Sequence, residues 1–264
     1  MLFASLDARS ITGGDWSYLN SCHKAAFNDH DFQTFRSRPD YAHALELRGG
    51  ERFAKYILEN CGHMSALFPL FEKIDAIGAP PLIHFEGLGS FSGTTLRYIA
   101  FAHHIETLFD LPQFPHIVEI GAGFGGQCAV LSHLTPFITY SIYDLNQPLF
   151  LMERVHQTLG IPNVEYLQVH EELPTQHIDL FISNYAFSEC DRATQLDYFH
   201  RVIKHCNRGY VVYNQIIREY YGVDCLSPEE FMSLLRDHGL TPQLREELIC
   251  TYPSNVLITW TCTD

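Results

Sequence analysis

Ile117-Val118-Glu119-Ile120 runs without a break into Gly121-Ala122-Gly123-Phe124-Gly125-Gly126, and a helix-like segment, Gln127 to Leu134, follows. A strand that ends in a glycine turn and restarts as a helix commits this part of the chain to a βαβ unit on a parallel sheet. The glycines let the backbone turn sharply and approach a ligand with no Cβ in the way. Twenty-one residues after Gly123, a second apolar stretch (Phe137 to Tyr143) ends in Asp144. An acid at the tip of the second strand of such a unit is placed to hold the two hydroxyls of a ribose. A nucleoside-bearing ligand is therefore expected across these two strand ends, with Asp144 and the adjoining Leu145 beside its ribose.

Two cofactors fit the local pattern. Gly121, Gly123 and Gly126 satisfy G-x-G-x-x-G, and Asp144 lies near the distance that the dinucleotide fingerprint expects. The alternative is S-adenosylmethionine, whose class I methyltransferases carry an acid two positions before the first glycine, where this chain has Glu119. A carboxylate there suits an ammonium and a sulfonium and sits badly beside a pyrophosphate. Dinucleotide motifs also commonly open their domain, and this one begins after more than a hundred residues. The charge argument favours S-adenosylmethionine over a nicotinamide or flavin cofactor.

The first hundred residues show no strand-helix alternation. Short helices are predicted at Trp16 to Phe27, Asp31 to Arg36, Glu51 to Cys61 and Met64 to Ile74, punctuated by Gly49-Gly50 and Gly62. A Gly/Pro-rich approach follows, extended over Pro81 to Phe85, and leads into a helix from Leu96 to Phe109. From Ile117 onward strands (117–120, 138–143, 164–168, 179–183, 210–214) alternate with helices near 126–134, 147–159, 192–206 and 227–238. The last helix opens on the capping box Ser227-Pro228-Glu229-Glu230. Leu244 to Tyr252 and Val256 to Thr261 are expected as two further strands, with only Pro253-Ser254-Asn255 between them; so short a turn makes an antiparallel pair. The fold class expected is α/β: a seven-stranded Rossmann-like sheet of class I methyltransferase type, closing in an antiparallel C-terminal hairpin. Residues 1–92 form a helical N-terminal lobe and substrate or lid region, and residues 93–264 the cofactor-binding domain.

Charge narrows the partners. The formal net charge is −14 with only 17 Lys and Arg, so no basic footprint for nucleic acid or an anionic membrane is expected. Met1 to Asp7 lack a basic start and a long apolar core, so a leader is not expected, no stretch reaches a membrane span, and a cytoplasmic location follows. None of the eight cysteines forms a C-x-x-C pair, and Cys128, Cys206 and Cys250 sit in apolar patterns that suit buried thiols. The fifteen histidines include no H-E-x-x-H pattern, and no metal site is expected. Oligomeric state stays open, a homodimer included.

Ligands of doubly wound sheets bind beyond the carboxyl ends of the strands. That places Asn184-Tyr185-Ala186-Phe187-Ser188-Glu189, which follows the fourth strand, beside the reacting atoms. Asn184 offers amide hydrogen bonds, Tyr185 a substrate wall, and Glu189 a carboxylate able to accept a proton; the competing role for Ser188 and Glu189 is to cap the next helix. Asn214, ending the fifth strand, can contact substrate or cap its own loop. His104 and His84 are the further candidate bases, the first on a helix and the second in the Gly/Pro-rich approach. Arg97 and Tyr98 precede the sheet, where the guanidinium can pair with a cofactor carboxylate.

Glu119 to Cys128, Ile182 to Cys190, Arg208-Gly209-Tyr210 with Asn214, Thr94 to Tyr98 and Asn255 to Trp260 together resemble the sugar O-methyltransferase family, over roughly residues 75 to 262. The helical N-terminal part resembles it more loosely. The resemblance implies a class I fold, S-adenosylmethionine as cofactor, and a sugar or sugar-containing hydroxyl, free or on a glycan, as the acceptor. A methyltransferase fold that binds its ligand or a partner protein without catalysis is the remaining alternative.

Overall fold

The structure, a computed structural model, describes residues 16–113, 115–173 and 177–262; the Met1 to Asp7 start lies outside the described residues. Among the described residues the N-terminal lobe packs five α-helices: α1 (Ser17–Phe27), α2 (Asp29–Thr34), α3 (Pro39–Leu45), α4 (Glu51–Asn60) and α5 (Phe68–Asp75). Asn28 separates the first two, its side chain accepting the Asp31 amide. Helix α3 was not expected from the sequence. Tyr41 is its one buried residue, so it leaves no apolar period to read. The stretch expected as one helix from Met64 instead opens as a 3₁₀ turn over 62–67, because Pro69 in the first turn of α5 cannot continue a helix backwards.

A two-stranded hairpin, β1 (Ile83–Phe85) with β2 (Gly89–Phe91), leads to α6 (Gly93–Leu108), whose N-cap Ser92 accepts the Thr95 amide. The alternating part comprises β3 (His116–Ile120), α7 (Gly126–Leu134), β4 (Thr139–Asp144), α8 (Asn146–Leu159), β5 (Val164–Gln168), β6 (Leu180–Asn184), α9 (Ala186–Glu189), α10 (Arg192–Arg201), β7 (Arg208–Tyr213), α11 (Ile216–Tyr221), α12 (Pro228–Asp237), β8 (Leu240–Glu246) and β9 (Val256–Cys262). The short α9 and α11 are additions to the expected pattern, and the helix expected over 192–206 ends at Arg201. The capping box of α12 is formed as expected, Ser227 and Glu230 each taking the other's amide.

The seven strands lie in the order β5-β4-β3-β6-β7-β9-β8, parallel except that β9 is antiparallel to both of its neighbours. This is the expected α/β sheet. Successive residues go to opposite faces: Ile117, Ile142, Leu180, Ile182 and Tyr210 join the lobe, α6, α7 and α8 in one core, while Val118, Tyr143, Phe181, Val211 and Trp260 join α10 and α12 in the other. Burial on both faces is why these strands read as unbroken apolar runs. No helix among the described residues is long and apolar enough to cross a membrane.

The closing hairpin differs from the expectation in register. Its first strand is Leu240–Glu246, not Leu244 to Tyr252, and residues 247–255 form the connection. Pro242 is tolerated because β8 is the edge of the sheet. The chain leaves the sheet at Glu247, which turns inward, while Leu248 and Ile249 pack on the lobe core. Cys250, expected among the buried thiols, is exposed on this loop, whereas Cys128 and Cys206 are buried.

One buried charge network ties the lobe to the start of α6 and to the glycine turn. The Arg36 guanidinium meets Glu46 at 2.6 Å and Asp75 at 2.9 Å, and donates to Ser92 Oγ at 2.9 Å. Asp75 also accepts the Ser92 amide at 2.7 Å and the Thr95 hydroxyl at 2.7 Å. The same guanidinium stacks over Phe124 of the glycine turn, 4.3 Å from the ring centre. The start of α6, the lobe helices and the glycine turn are thus held in one arrangement.

Candidate active site

The chain runs from β3 outward to β4 and β5, then crosses back to β6 on the other side of β3. That reversal opens a crevice at the carboxyl ends of β3 and β6, where sheets of this kind bind ligands. A cavity of about 460 Å³ occupies it, walled on one side by Tyr18 and Leu45 of the lobe and on the other by the strand ends. Gly121 makes the floor possible. Its φ is +71°, and a Cβ there would lie 2.0 Å from the Ala186 Cβ at the start of α9, so only glycine lets the turn lie against α9. Behind the turn stands His156, which the sequence did not single out. Its Nε2 faces the Gly125 carbonyl at 2.9 Å and its Nδ1 the Tyr166 hydroxyl at 2.9 Å. The carbonyl can only accept, so Nε2 carries the proton and Nδ1 takes the Tyr166 proton. Burial lowers this imidazole to about 4, which keeps it neutral.

Three carboxylates line the cavity: Glu119, Asp144 and Glu189. Glu119 is buried at the end of β3, and burial pushes it up to about 8, although the Tyr140 hydroxyl donates to it at 2.8 Å. Asp144, at the tip of β4, is raised to about 7 by burial while accepting the Leu145 amide at 2.7 Å. Glu189 is likewise raised by burial to about 7, and accepts Asn214 Nδ2 at 2.9 Å. Each lacks a cation among the described residues. Among the described residues the one basic side chain lining the cavity is Arg97, with its Cζ 5.6 Å from the Tyr98 ring centre and 5.5 Å from that of Tyr185. Its buried Nε has no hydrogen-bond partner, and no carboxylate lies within ion-pair distance of it among the described residues.

The structure brings together most of the residues singled out from the sequence. Glu119, Gly121, Gly123, Asp144, Leu145, Asn184, Tyr185, Arg97, Tyr98, Asn214 and Glu189 all line the cavity. Asn184 donates to Gln127 at 3.3 Å and leaves its Oδ1 buried without a donor. Tyr185 sits at φ +78°, a backbone conformation that a side chain of this size rarely adopts, and its hydroxyl donates to Glu247 at 2.7 Å. Asn214 both caps its turn, accepting the Ile216 amide at 2.9 Å, and holds Glu189.

The two candidate histidines are not in the cavity. His104 turns to β7, with Nδ1 at 3.1 Å from the Tyr210 hydroxyl, and burial lowers it to about 4. Its position on α6 places it on the face packed against the sheet. His84 is exposed on β1, paired with Ser90 Oγ at 3.1 Å. The capping role weighed for Ser188 and Glu189 falls instead to Asp191, which accepts the Thr194 amide at 2.9 Å. Ser188 Oγ donates to the Tyr185 carbonyl and accepts the Asn214 amide. The loop residues Thr251, Tyr252 and Asn255 were missed as lining residues, because the sequence placed the first two in a strand.

No protein-family model matches the chain, and the search of curated proteins found no match. Among solved structures, mitomycin 7-O-methyltransferase aligns with 65% of this chain and 56% of its own at 16% identity, with a TM-score of 0.49. The YcgJ protein from Bacillus subtilis aligns with 64% of this chain and 99% of its own at 12% identity, TM-score 0.49. Geranyl diphosphate C-methyltransferase from Streptomyces coelicolor, solved with Mg²⁺, geranyl diphosphate and S-adenosyl-L-homocysteine, aligns with 62% and 79% at 13% identity, TM-score 0.49. The chain spans little more than half the length of the mitomycin enzyme. Likeness this distant assigns neither ligand nor substrate, which rest on the residues of the site.

Proposed function

We propose that the chain is an S-adenosylmethionine-dependent O-methyltransferase acting on a hydroxyl of a neutral small molecule, a sugar or sugar-containing compound. The observation that carries this is the charge of the cavity: three carboxylates raised by burial against a single guanidinium. Such a site lacks positive charge to balance, and a ligand bearing an ammonium and a sulfonium supplies it. A pyrophosphate at the same turn would meet Glu119 and add to the imbalance, so a nicotinamide dinucleotide fits less well.

The residues present fit S-adenosylmethionine. Asp144 would hold the ribose hydroxyls, with Leu145 beside them. Glu119 and the turn at Gly121 and Gly123 would face the cationic end, and Arg97, flanked by Tyr98, would pair with the carboxylate. Asn184, which lines the cavity beside the glycine turn, would contact the same ligand. When bound, the cofactor supplies an electrophilic methyl group on a sulfonium sulfur. The chain's own part is to exclude water, orient the acceptor hydroxyl and take its proton on Glu189 as the new C–O bond forms.

Two expectations test this reading. Asp144→Ala removes the charge-assisted bonds to the ribose and should weaken S-adenosylhomocysteine binding by about 1.5–3 kcal/mol, roughly 10- to 150-fold, in a calorimetric titration; unchanged affinity would move the ribose elsewhere. With methyl-labelled S-adenosylmethionine and a panel of neutral sugars, nucleotide sugars and sugar phosphates, label should pass to neutral hydroxylated acceptors in preference to phosphorylated ones. Transfer to none of the panel would contradict the proposed acceptor class.

A further inference from the structure

Tyr185 joins β6 to α9 with φ +78° and ψ −42°, close to the γ-turn geometry that is rare and strained for a residue with a side chain. The backbone is pinned there from both sides. Its amide donates to the Val212 carbonyl at 2.9 Å, and its carbonyl accepts the Ser188 amide at 3.1 Å and the Ser188 hydroxyl at 2.6 Å. None of these bonds involves the side chain at 185, and glycine would make them without strain. A tyrosine kept in this conformation points to a use for its ring.

That ring is held at both ends. It packs on α6 beside Arg97 and Phe101, which are one helical turn apart, 5.5 Å from Arg97 Cζ and 6.4 Å from the Phe101 ring centre. Its hydroxyl donates to Glu247 at 2.7 Å. Glu247 is 6% exposed and is fixed in turn, accepting the Thr251 amide at 2.7 Å and the Thr251 hydroxyl at 2.8 Å. The second ring near the guanidinium, that of Tyr98, packs against the glycine turn, where a Cβ on Gly126 would come within 2.4 Å of it. Arg97 therefore has two immobile rings for neighbours. It is half-buried, lines the cavity and makes no ion pair among the described residues.

We infer that Tyr185 and Glu247 are positioning residues: Glu247 fixes the Tyr185 ring, and the ring holds the Arg97 guanidinium ready for a ligand carboxylate. A free arginine side chain loses rotamer freedom when it binds. One already held against aromatic rings loses less, so it binds a carboxylate more tightly with no new contact. This rests on the proposed function for the identity of that carboxylate, the one on the cofactor.

The test compares S-adenosylhomocysteine with its decarboxylated analogue, 5′-deoxy-5′-(3-aminopropylthio)adenosine, by calorimetric titration of the full chain. The two share adenosine, thioether and ammonium and differ only in the carboxylate. The unaltered chain should bind S-adenosylhomocysteine roughly tenfold or more tighter than the analogue, and Arg97→Met should bring that ratio to about one. Tyr185→Phe keeps the ring and removes its tie to Glu247; it should lower the ratio about threefold or more while leaving the analogue's affinity unchanged. Glu247→Gln puts an NH₂ where one acceptor oxygen stood, so it cannot keep all three bonds, and it should have the same selective effect if the phenylalanine variant does not fold. In an Arg97→Met background neither substitution should alter the ratio further. An undiminished ratio in either folded variant overturns the inference, and so does equal weakening of both ligands, which marks a purely structural role. Tight binding of S-adenosylhomocysteine with such a result leaves the proposed function standing, whereas binding of neither compound by the unaltered chain removes both.

Discussion

Glu189→Gln should lower turnover by about 10²-fold or more while leaving S-adenosylhomocysteine affinity nearly unchanged. Glutamine keeps the shape of the side chain and removes the carboxylate proposed to take the acceptor's proton. The geometry supports this role over any capping one: Glu189 lines the cavity, is held by Asn214 at 2.9 Å, and leaves the helix cap to Asp191. The pH profile supplies a second readout. Burial raises Glu189 to about 7, and a base works only when ionised, so turnover should climb as pH rises through about 7 and level off above it. In the glutamine variant that rise should be absent. Turnover within a few-fold of the unaltered chain, with the same pH profile, would assign the proton to another group.

The same burial affects the empty protein. A carboxylate whose folded value lies above its ordinary value holds its proton more tightly folded than unfolded. Stability is therefore lost as pH rises from the ordinary range near 4 toward the folded values of about 7 for Asp144 and Glu189 and about 8 for Glu119. A bound cation offsets that loss.

Arg36→Ala should cost about 3–5 kcal/mol of unfolding free energy, because it leaves the Glu46 and Asp75 carboxylates buried without their counter-charge. Arg36 is 0% exposed and stacks on Phe124, so the loss should also loosen the glycine turn. Urea denaturation of the two proteins measures the first effect. A loss below about 1 kcal/mol would mean that the network is not holding the lobe to α6 and the glycine turn.

The part of the cavity at the ends of β3, β4 and β6 was legible because its residues follow strong local signals. A glycine turn closes β3, an acid closes β4, and a polar run follows β6. These strand ends are brought to one edge by a topology that the alternation itself predicts. The part lined by the loop before β9 was not legible. Thr251, Tyr252 and Asn255 lie on a loop that exists only because Glu247 turns inward to Tyr185 and Thr251, a long-range pairing with no local pattern. The misplaced β8 has the same origin: Pro242 reads as a breaker until the edge position of the strand is known. His104 and His84 were singled out for their chemistry, but the face of α6 and the exposed edge of β1 decide where they point, and sequence spacing did not resolve either. Helix α3, with a single buried side chain, had no period to detect.

The central claim is that the cavity is built for a cationic nucleoside and not for a pyrophosphate. Isothermal titration of the full chain with S-adenosylmethionine, S-adenosylhomocysteine, NAD and NADH at neutral pH tests it most directly. S-adenosylmethionine and S-adenosylhomocysteine should bind in roughly the micromolar range, about −8 kcal/mol, with no heat from either dinucleotide. Binding of NAD or NADH in that range, with none by the two adenosyl compounds, would contradict it.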